Sequence, residues 1–155
     1  INTIKKEQGL SRSLTKLKDV LEARRKPIVK KVVKEDVTSL QEAFEEDRTS
    51  FSLLKKLLDV SITSNKEVFH KYAELAIDLF PAQPYAYLMR GKSLEEQKKY
   101  KDGITLLESG IDFVIDNPNL EASFYETLAS LYQVSGNAAK AKEYRSKAKK
   151  MKTIK

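Results

Sequence analysis

Few residues of this sequence are of a type that could carry out catalysis. His70 is the only histidine among the 155 residues, and there is no cysteine. A cysteine–histidine pair is therefore excluded within the chain, as are thiolate metal sites and a zinc site with two histidines. His70 falls in a predicted helix, one residue from a position expected to contact a neighbouring helix. We interpret it as a packed or half-exposed histidine.

The carboxylates are numerous, but their spacing is typical of a solvated helix surface. Those of the middle region alternate with lysines along predicted helices: Glu95, Glu96, Asp102, Glu108 and Asp112. Opposite charges at helical spacing are common on such surfaces and need no catalytic explanation. The stretch from Gly103 to Gly110 lies inside a predicted helix and lacks the spacing of a phosphate-binding loop. The sequence thus predicts a protein that is not an enzyme and has no catalytic residue, metal site or cofactor.

The positive charge of the chain is concentrated at its two ends, in Arg24, Arg25, Lys26, Lys30, Lys31 and Lys34 and in the lysine-rich segment 140–155. Residues 1–34 carry 11 basic and 3 acidic side chains, residues 136–155 carry 8 and 1, and the net charge is +7. Clustered cations can bind nucleic-acid phosphates through counterion release. However, Tyr144 is the single aromatic residue among these cations, too little for a base-stacking surface, and a terminal helix commonly carries cations. We therefore expect a solvated cap, with nucleic-acid or anionic-surface binding as the alternative function.

Helices are the elements that must position these residues, since no segment alternates with a period of two over a useful length. Apolar residues at helical spacing predict an amphipathic helix over 11–26 and one or two helices over 28–47. Three helical pairs follow, at 49–60 and 66–80, 84–98 and 100–116, and 120–134 and 138–151. No apolar run approaches the roughly 18 residues of a membrane span. We expect a soluble protein, cytoplasmic or periplasmic, and part of a longer chain because the sequence begins at Ile1.

Three glycines inside the middle pair indicate that its helices approach closely. Gly91, Gly103 and Gly110 each cost about 1 kcal/mol relative to alanine within a helix, so close packing is the simplest reason for them. Units that start at Ser50, Pro84 and Ala122 are spaced by 34 and 38 residues, and we assign the four extra residues to the second helix of the middle unit. Positions 8, 20 and 27 of these units are Leu57, Phe69 and Ala76, then the three glycines, then Ala129, Ala141 and Ala148.

This pattern over about residues 50–151 resembles the tetratricopeptide repeat (TPR), with small residues at positions 8, 20 and 27 and aromatics between them. The last unit matches best, and the first is degenerate because Leu57 and Phe69 replace small residues. The resemblance implies an all-α protein, a right-handed solenoid of about three hairpins at 50–83, 84–121 and 122–151, followed by a basic tail. Residues 1–49 are expected to form N-terminal packing helices or a further degenerate repeat.

The resemblance also implies a function, because TPR hairpins bind a partner segment in a concave groove lined by their first helices. The expected groove residues are Phe51, Leu54, Leu58, Tyr85, Leu88, Lys92, Glu126 and Ser130. The carboxylate clamp of chaperone-binding TPR domains is absent, since its places hold Leu54, Leu58, Met89, Ser123 and Thr127. We expect a non-catalytic interaction or scaffold module whose partner is another protein or peptide. An open alternative is that residues 28–47 cover Phe51, Leu54 and Leu58.

Overall fold

Seven α-helices make up residues 36–154, the part of the chain that the computed structural model describes, and no strand occurs there. They are α1 (Val37–Glu46), α2 (Phe51–Ser64), α3 (Lys66–Leu79), α4 (Pro84–Glu96), α5 (Tyr100–Gly110), α6 (Pro118–Val134) and α7 (Ala138–Lys152). A short 3₁₀ turn, Ile111–Phe113, follows α5. The helix predicted over 11–26 lies outside the described residues.

Side-chain oxygens cap the first turn of four of these helices. Each accepts a hydrogen bond of 3.1–3.3 Å from a backbone N–H three residues further on. Such caps satisfy donors that the helix itself leaves free, and they mark where the helix starts. The capping residues are Ser50 for α2, Asn65 for α3, Asn117 for α6 and Asn137 for α7.

The helix α2 ends about one turn later than predicted, because the expected turn from Ser61 to Asn65 is mostly helical. Ser61 is fully buried, and its hydroxyl donates a 3.4 Å hydrogen bond to the Leu58 carbonyl, which satisfies the polar side chain within the helix. Asn65 alone separates α2 from α3. Its N–H donates to the Ser61 carbonyl at 2.9 Å, and its side-chain oxygen accepts from the Val68 N–H. One residue therefore ends one helix and begins the next.

The boundary between the second and third hairpins also differs from the prediction. The helix predicted over 100–116 ends at Gly110, and the chain continues through the 3₁₀ turn to Asn117. A proline disfavours helical backbone at the residue before it, whereas the proline itself is favourable at the first position of a helix. The helix α6 therefore begins at Pro118, 34 residues after the Pro84 that begins α4. The extra residues lengthen the start of α6, and the boundary expected at residues 121 and 122 falls inside this helix.

The glycines lie where helices touch, as predicted. Successive helices pack against each other, and α4 also contacts α6. A Cβ added at Gly91 would lie 2.5 Å from Leu107 Cδ2 of the facing helix, and one at Gly110 would be equally close to a side chain of α4. A Cβ at Gly103 would lie 3.2 Å from Leu131 of α6. Gly91 and Gly110 therefore allow α4 and α5 to approach closely. Gly103 allows α5 to approach α6 of the next hairpin.

The helix α1 is part of the core of the first hairpin. Leu40 and Phe44 are buried in one cluster with residues of α2 and α3. The Phe44 ring packs edge-on against the Tyr72 ring, with centroids 5.8 Å apart, and the Tyr72 hydroxyl donates a 2.6 Å hydrogen bond to Glu45. Burial raises the pKa of Tyr72 to about 12, and the hydrogen bond to Glu45 acts in the same direction. Residues 37–46 therefore cover the first hairpin.

A second cluster joins the second hairpin to the third. Its buried residues are Leu88, Leu107, Phe124, Leu128, Ala129, Leu131 and Tyr144. At its edge, Glu108 of α5 accepts hydrogen bonds from the hydroxyls of Tyr132 at 2.5 Å and Tyr144 at 3.3 Å. These contacts position α6 beside α4, so the first helices of the two hairpins are neighbours.

Candidate binding groove

The first helices of the three hairpins, α2, α4 and α6, line two adjoining clefts, which we call the α2–α4–α6 groove. The wide cleft has a volume of about 540 Å³ and the narrow cleft about 320 Å³, and Lys92 of α4 lines both. The wide cleft is lined by Phe51, Lys55, Gln83, Pro84, Tyr85, Leu88, Met89, Lys92, Asn117, Asn119, Leu120 and Ser123. The narrow cleft is lined by Ile62, Lys92, Glu95, Glu96, Glu126, Thr127 and Ser130.

Six of the eight residues expected in a groove line these clefts. Phe51, Tyr85 and Leu88 line the wide cleft, Glu126 and Ser130 line the narrow one, and the sixth residue is the shared lysine. Leu88 is only 3% exposed and belongs to the second core cluster, so it forms part of the floor. A charged side chain at this position would disrupt the core in addition to any effect on binding.

The expectation that Leu54 and Leu58 line the groove is wrong. Both side chains are fully buried in the cluster that also contains Leu40 and Phe44 of α1. Because α1 packs on α2, the apolar stripe that these leucines form is covered by residues within 28–47, which was the open alternative. Phe51 is the member of the stripe that stays half-buried at the wide cleft.

The cleft residues that were not predicted include Lys55, Asn119 and Leu120. Lys55 lies one helical turn after Phe51, so the two share a face of α2, a relationship that the sequence spacing does contain. The other two belong to the first turn of α6 and precede Ala122, where the third unit was predicted to start. The Asn117–Pro118 pair, a capping residue followed by a proline, was the available signal for the earlier start.

Aromatic and cationic side chains pack together in the wide cleft. The rings of Phe51 and Tyr85 meet edge-on with centroids 6.2 Å apart, and the Lys55 ammonium lies 4.7 Å from the centroid of the Tyr85 ring. The Tyr85 hydroxyl is buried and has no hydrogen-bond partner among residues 36–154. Lys92 likewise has no hydrogen bond or ion pair with any described residue. This cleft therefore offers an apolar surface together with two cations.

The narrow cleft carries the opposite charge. Glu95 accepts a hydrogen bond from the Ser130 hydroxyl, which connects α4 to α6. Glu96 pairs with Lys66 at 2.5 Å. The third carboxylate, Glu126, forms an ion pair with a lysine of α7. Acidic side chains from two helices thus face a cleft that shares one wall with the cationic region.

His70 lies between a serine and a carboxylate, but the arrangement is not suited to nucleophilic catalysis. Its Nδ1 is 2.8 Å from the Ser93 hydroxyl, and its Nε2 is 3.6 Å from Glu96. Ser93 is fully buried on α4, so a substrate carbonyl has no access to its oxygen. Within residues 36–154 no group of three or more metal-ligating side chains is found. The contacts of His70 join α3 to α4, in agreement with a packed histidine.

The basic helix α7 has few aromatic partners to offer a nucleic acid. The rings of Tyr132 and Tyr144 are stacked, with an interplanar angle of 8°, and Lys147 lies 4.9 Å from the centroid of the Tyr144 ring. Burial and hydrogen bonding to Glu121 raise the pKa of Tyr125 to about 12. These tyrosines are engaged within the hairpin. Four exposed lysines of α7 make no ion pair with the described residues: Lys140, Lys142, Lys149 and Lys150.

Solved structures with the same arrangement of helices define the fold class. One, "MamA MSR-1 C2", has a TM-score of 0.59 and 13% sequence identity over 75% of this chain and 65% of that one. Another, "MamA RS-1 ArsTM double mutant", has a TM-score of 0.60 and 16% identity over 75% of this chain and 64% of that one. The chain thus spans slightly less than two thirds of the length of each. The predicted fold class, an all-α solenoid of TPR-like helical hairpins, is confirmed.

The sequence matches no protein-family model and none of the curated proteins. Among residues 36–154, every helix is too short or too polar to cross a membrane.

Proposed function

We propose that this protein is a non-catalytic interaction module that binds an extended segment of a partner protein in the α2–α4–α6 groove. The observation that carries the proposal is the pair of adjoining clefts that share Lys92. The groove combines exposed apolar surface with side chains of both charges, which suits a peptide better than a single small molecule. The TPR-like fold of the neighbouring structures supports a scaffold role.

The proposed function includes no catalytic step, because the candidate nucleophile is buried. The hydroxyl of Ser93, which a His70-based mechanism would need as its nucleophile, is inaccessible. The remaining groove residues are cations, carboxylates, amides and apolar side chains that recognise a ligand without transforming it.

A bulky side chain inside the groove tests this function. Peptides would be selected from a random phage-displayed library against the 155-residue chain, and their affinities measured by fluorescence anisotropy. We expect Ser123→Tyr, which projects a ring into the wide cleft, to weaken the selected peptides about tenfold or more. The matched control is Ser146→Tyr on the exposed face of α7, which should leave affinity unchanged. Equal affinities for the two variants, with both folded by circular dichroism, would contradict groove binding.

The alternative is that the basic ends of the chain bind a nucleic acid or an anionic surface. Within residues 36–154 it is supported by the exposed lysines of α7, and the basic cluster over residues 24–34 lies outside the described residues. Such binding depends on counterion release and weakens steeply with salt. Fluorescence anisotropy with a random-sequence oligonucleotide at low salt and at about 0.2 M salt separates the two proposals. Binding that persists at the higher salt and is lost on Lys149→Glu would favour the alternative. Loss of all oligonucleotide binding at this salt agrees with the interaction module.

A further inference from the structure

The two clefts of the groove present opposite charges to a ligand. Lys55 lies in the wide cleft, Lys92 lines both clefts where they adjoin, and the narrow cleft holds the carboxylates Glu95, Glu96 and Glu126. Charge complementarity across an interface mainly determines which partner and which register are accepted. A segment lying along the groove therefore meets positive charge at one end and negative charge at the other.

Most of these charges are available to a ligand at little cost. Lys55 pairs with Asp59 at 3.1 Å, but their side chains are 49% and 45% exposed. Glu126 pairs with Lys152 in the same way, at 48% and 58% exposure. Exposed ion pairs contribute only about 0–1 kcal/mol, so exchanging one for a ligand charge costs little. Lys92 has no internal pair to exchange, since none of the described residues contacts it through an ion pair.

The distance between the clefts sets the spacing of the ligand charges. Along α4, the wide cleft is centred near Leu88 and the narrow cleft near Glu95, a rise of roughly 10 Å at about 1.5 Å per residue. An extended chain covers this distance in about three residues, at roughly 3.3 Å each. The apolar surface of Phe51, Tyr85 and Leu120 offers room for one hydrophobic side chain in the wide cleft.

We propose that the groove recognises an extended peptide segment with an acidic side chain beside an apolar residue and a basic side chain about three residues away. The acidic group lies between Lys55 and Lys92, and the basic group faces the carboxylates of the narrow cleft. This inference rests on the proposed function, because it defines the chemistry of the segment that the groove binds.

Labelled peptides of defined charge order test the proposal. Fluorescein-labelled eight-residue peptides would carry Glu and Lys three residues apart in a Leu/Ser background, in both orders, with Gln at both sites as the neutral reference. Fluorescence anisotropy with the 155-residue chain should show one of the two orders binding at least fivefold more tightly than the neutral peptide. Peptides with two Glu or two Lys residues should bind no better than the reference. Tightest binding by the two-Lys peptide would overturn the proposal.

Reversing the charge of Lys92 should reverse the preference of the groove for an acidic side chain at that site. Lys92→Glu should weaken the preferred peptide about tenfold and favour a peptide whose Glu is replaced by Lys. The neutral Lys92→Met should give an intermediate loss, and Lys142→Glu on α7, with the same change in net charge, should have no effect. An equal effect of Lys92→Glu and Lys142→Glu would overturn the proposal, since the charge would then act at long range only.

The remaining outcomes distinguish this inference from the proposed function. If charged and neutral peptides bind equally well and Ser123→Tyr abolishes binding, the groove binds segments without reading charge, and only the inference fails. If no peptide binds in this set or in the phage selection, both proposals fail. Self-association that Ser123→Tyr abolishes would assign the groove to a second copy of the chain and would also overturn the proposal.

Discussion

Gly110 and Tyr87 are in direct contact across the second hairpin, and a Cβ on Gly110 would lie 2.5 Å from the Tyr87 Cβ. The Cβ of Tyr87 is attached to the α4 backbone, so it cannot rotate away from an added methyl group. The Tyr87 side chain is held further by a 2.9 Å hydrogen bond from its hydroxyl to the Pro81 carbonyl and by stacking on Phe113. The glycine therefore sets how closely α5 lies against α4.

Gly110→Ala is expected to reduce the free energy of unfolding by about 1–3 kcal/mol, because the two helices must separate to admit the methyl group. Urea unfolding followed by circular dichroism measures this change. Lys101→Ala, on the exposed surface of the same helix, serves as the control and should change stability by less than about 0.5 kcal/mol. An alanine variant as stable as the wild type would show that the hairpin can adjust.

Gly103→Leu should also destabilise the fold by about 1–3 kcal/mol, but at the junction between hairpins. An added Cβ would lie 3.2 Å from a methyl of the buried Leu131 and 3.5 Å from the Leu94 Cβ, and the rest of a leucine side chain has no room there. Thermal and urea unfolding measure the effect, with the surface change Lys99→Ala as reference. A leucine variant matching that reference would mean that α6 can move away from α5 at no cost.

Phe44→Ala should cost about 3–5 kcal/mol of stability, as expected for a fully buried aromatic side chain. The Phe44 side chain packs α1 against the core of the first hairpin through its contact with Tyr72, and alanine would remove that contact. Thr38→Ala, at an exposed position of the same helix, is the matched control and should be close to neutral. If the two variants unfolded at the same urea concentration, the covering of α2 by α1 would be refuted.

Tyr72→Phe should make the protein less sensitive to alkaline pH. Burial raises the pKa of Tyr72 from 10.0 to about 12, so between these values the unfolded chain releases the proton and the folded protein retains it. The stabilisation is therefore complete below pH 10 and is lost as the pH rises towards about 12.

The phenylalanine variant lacks this group, so between pH 10 and pH 12 it should lose less stability than the wild type, by at most about 2–3 kcal/mol. Urea unfolding at several values between pH 8 and pH 11.5 measures the difference. Every other group of the chain is the same in both proteins, so the difference between their stability curves is the informative quantity. Parallel stability curves would contradict a raised pKa in the folded state.

Most of the helical organisation could be predicted because its signals are local. Capping residues such as Ser50, a proline at a first helical position such as Pro84, and the spacing of Gly91 and Gly110 each act within a few residues or one hairpin. The helix α6 begins two residues before its predicted start, and the third unit was placed at Ala122 because small residues at helical spacing favoured that register. In the structure, the proline at 118 determines where the helix begins.

The groove could be predicted less completely than the helices. Periodicity indicates which residues share a face of a helix, and Tyr85 and Lys92, both expected in the groove, line the wide cleft together. It cannot tell which apolar faces are covered, because burial depends on a second element whose docking is not encoded in the spacing. Leu54 and Leu58 have the same spacing as open groove residues, and only the packing of α1 places them in the core.

The sequence by itself determined that the chain is all-α, that its helices pair, and that glycines lie where the two helices of the second pair touch. These properties follow from backbone propensity and periodic side-chain size, which are local. Only the tertiary structure decided that α1 covers α2 and that Glu108 joins two hairpins through Tyr132 and Tyr144. It also decided that the cationic wide cleft and the acidic narrow cleft adjoin at Lys92. Such contacts join residues far apart in sequence, and they form only when whole helices pack together.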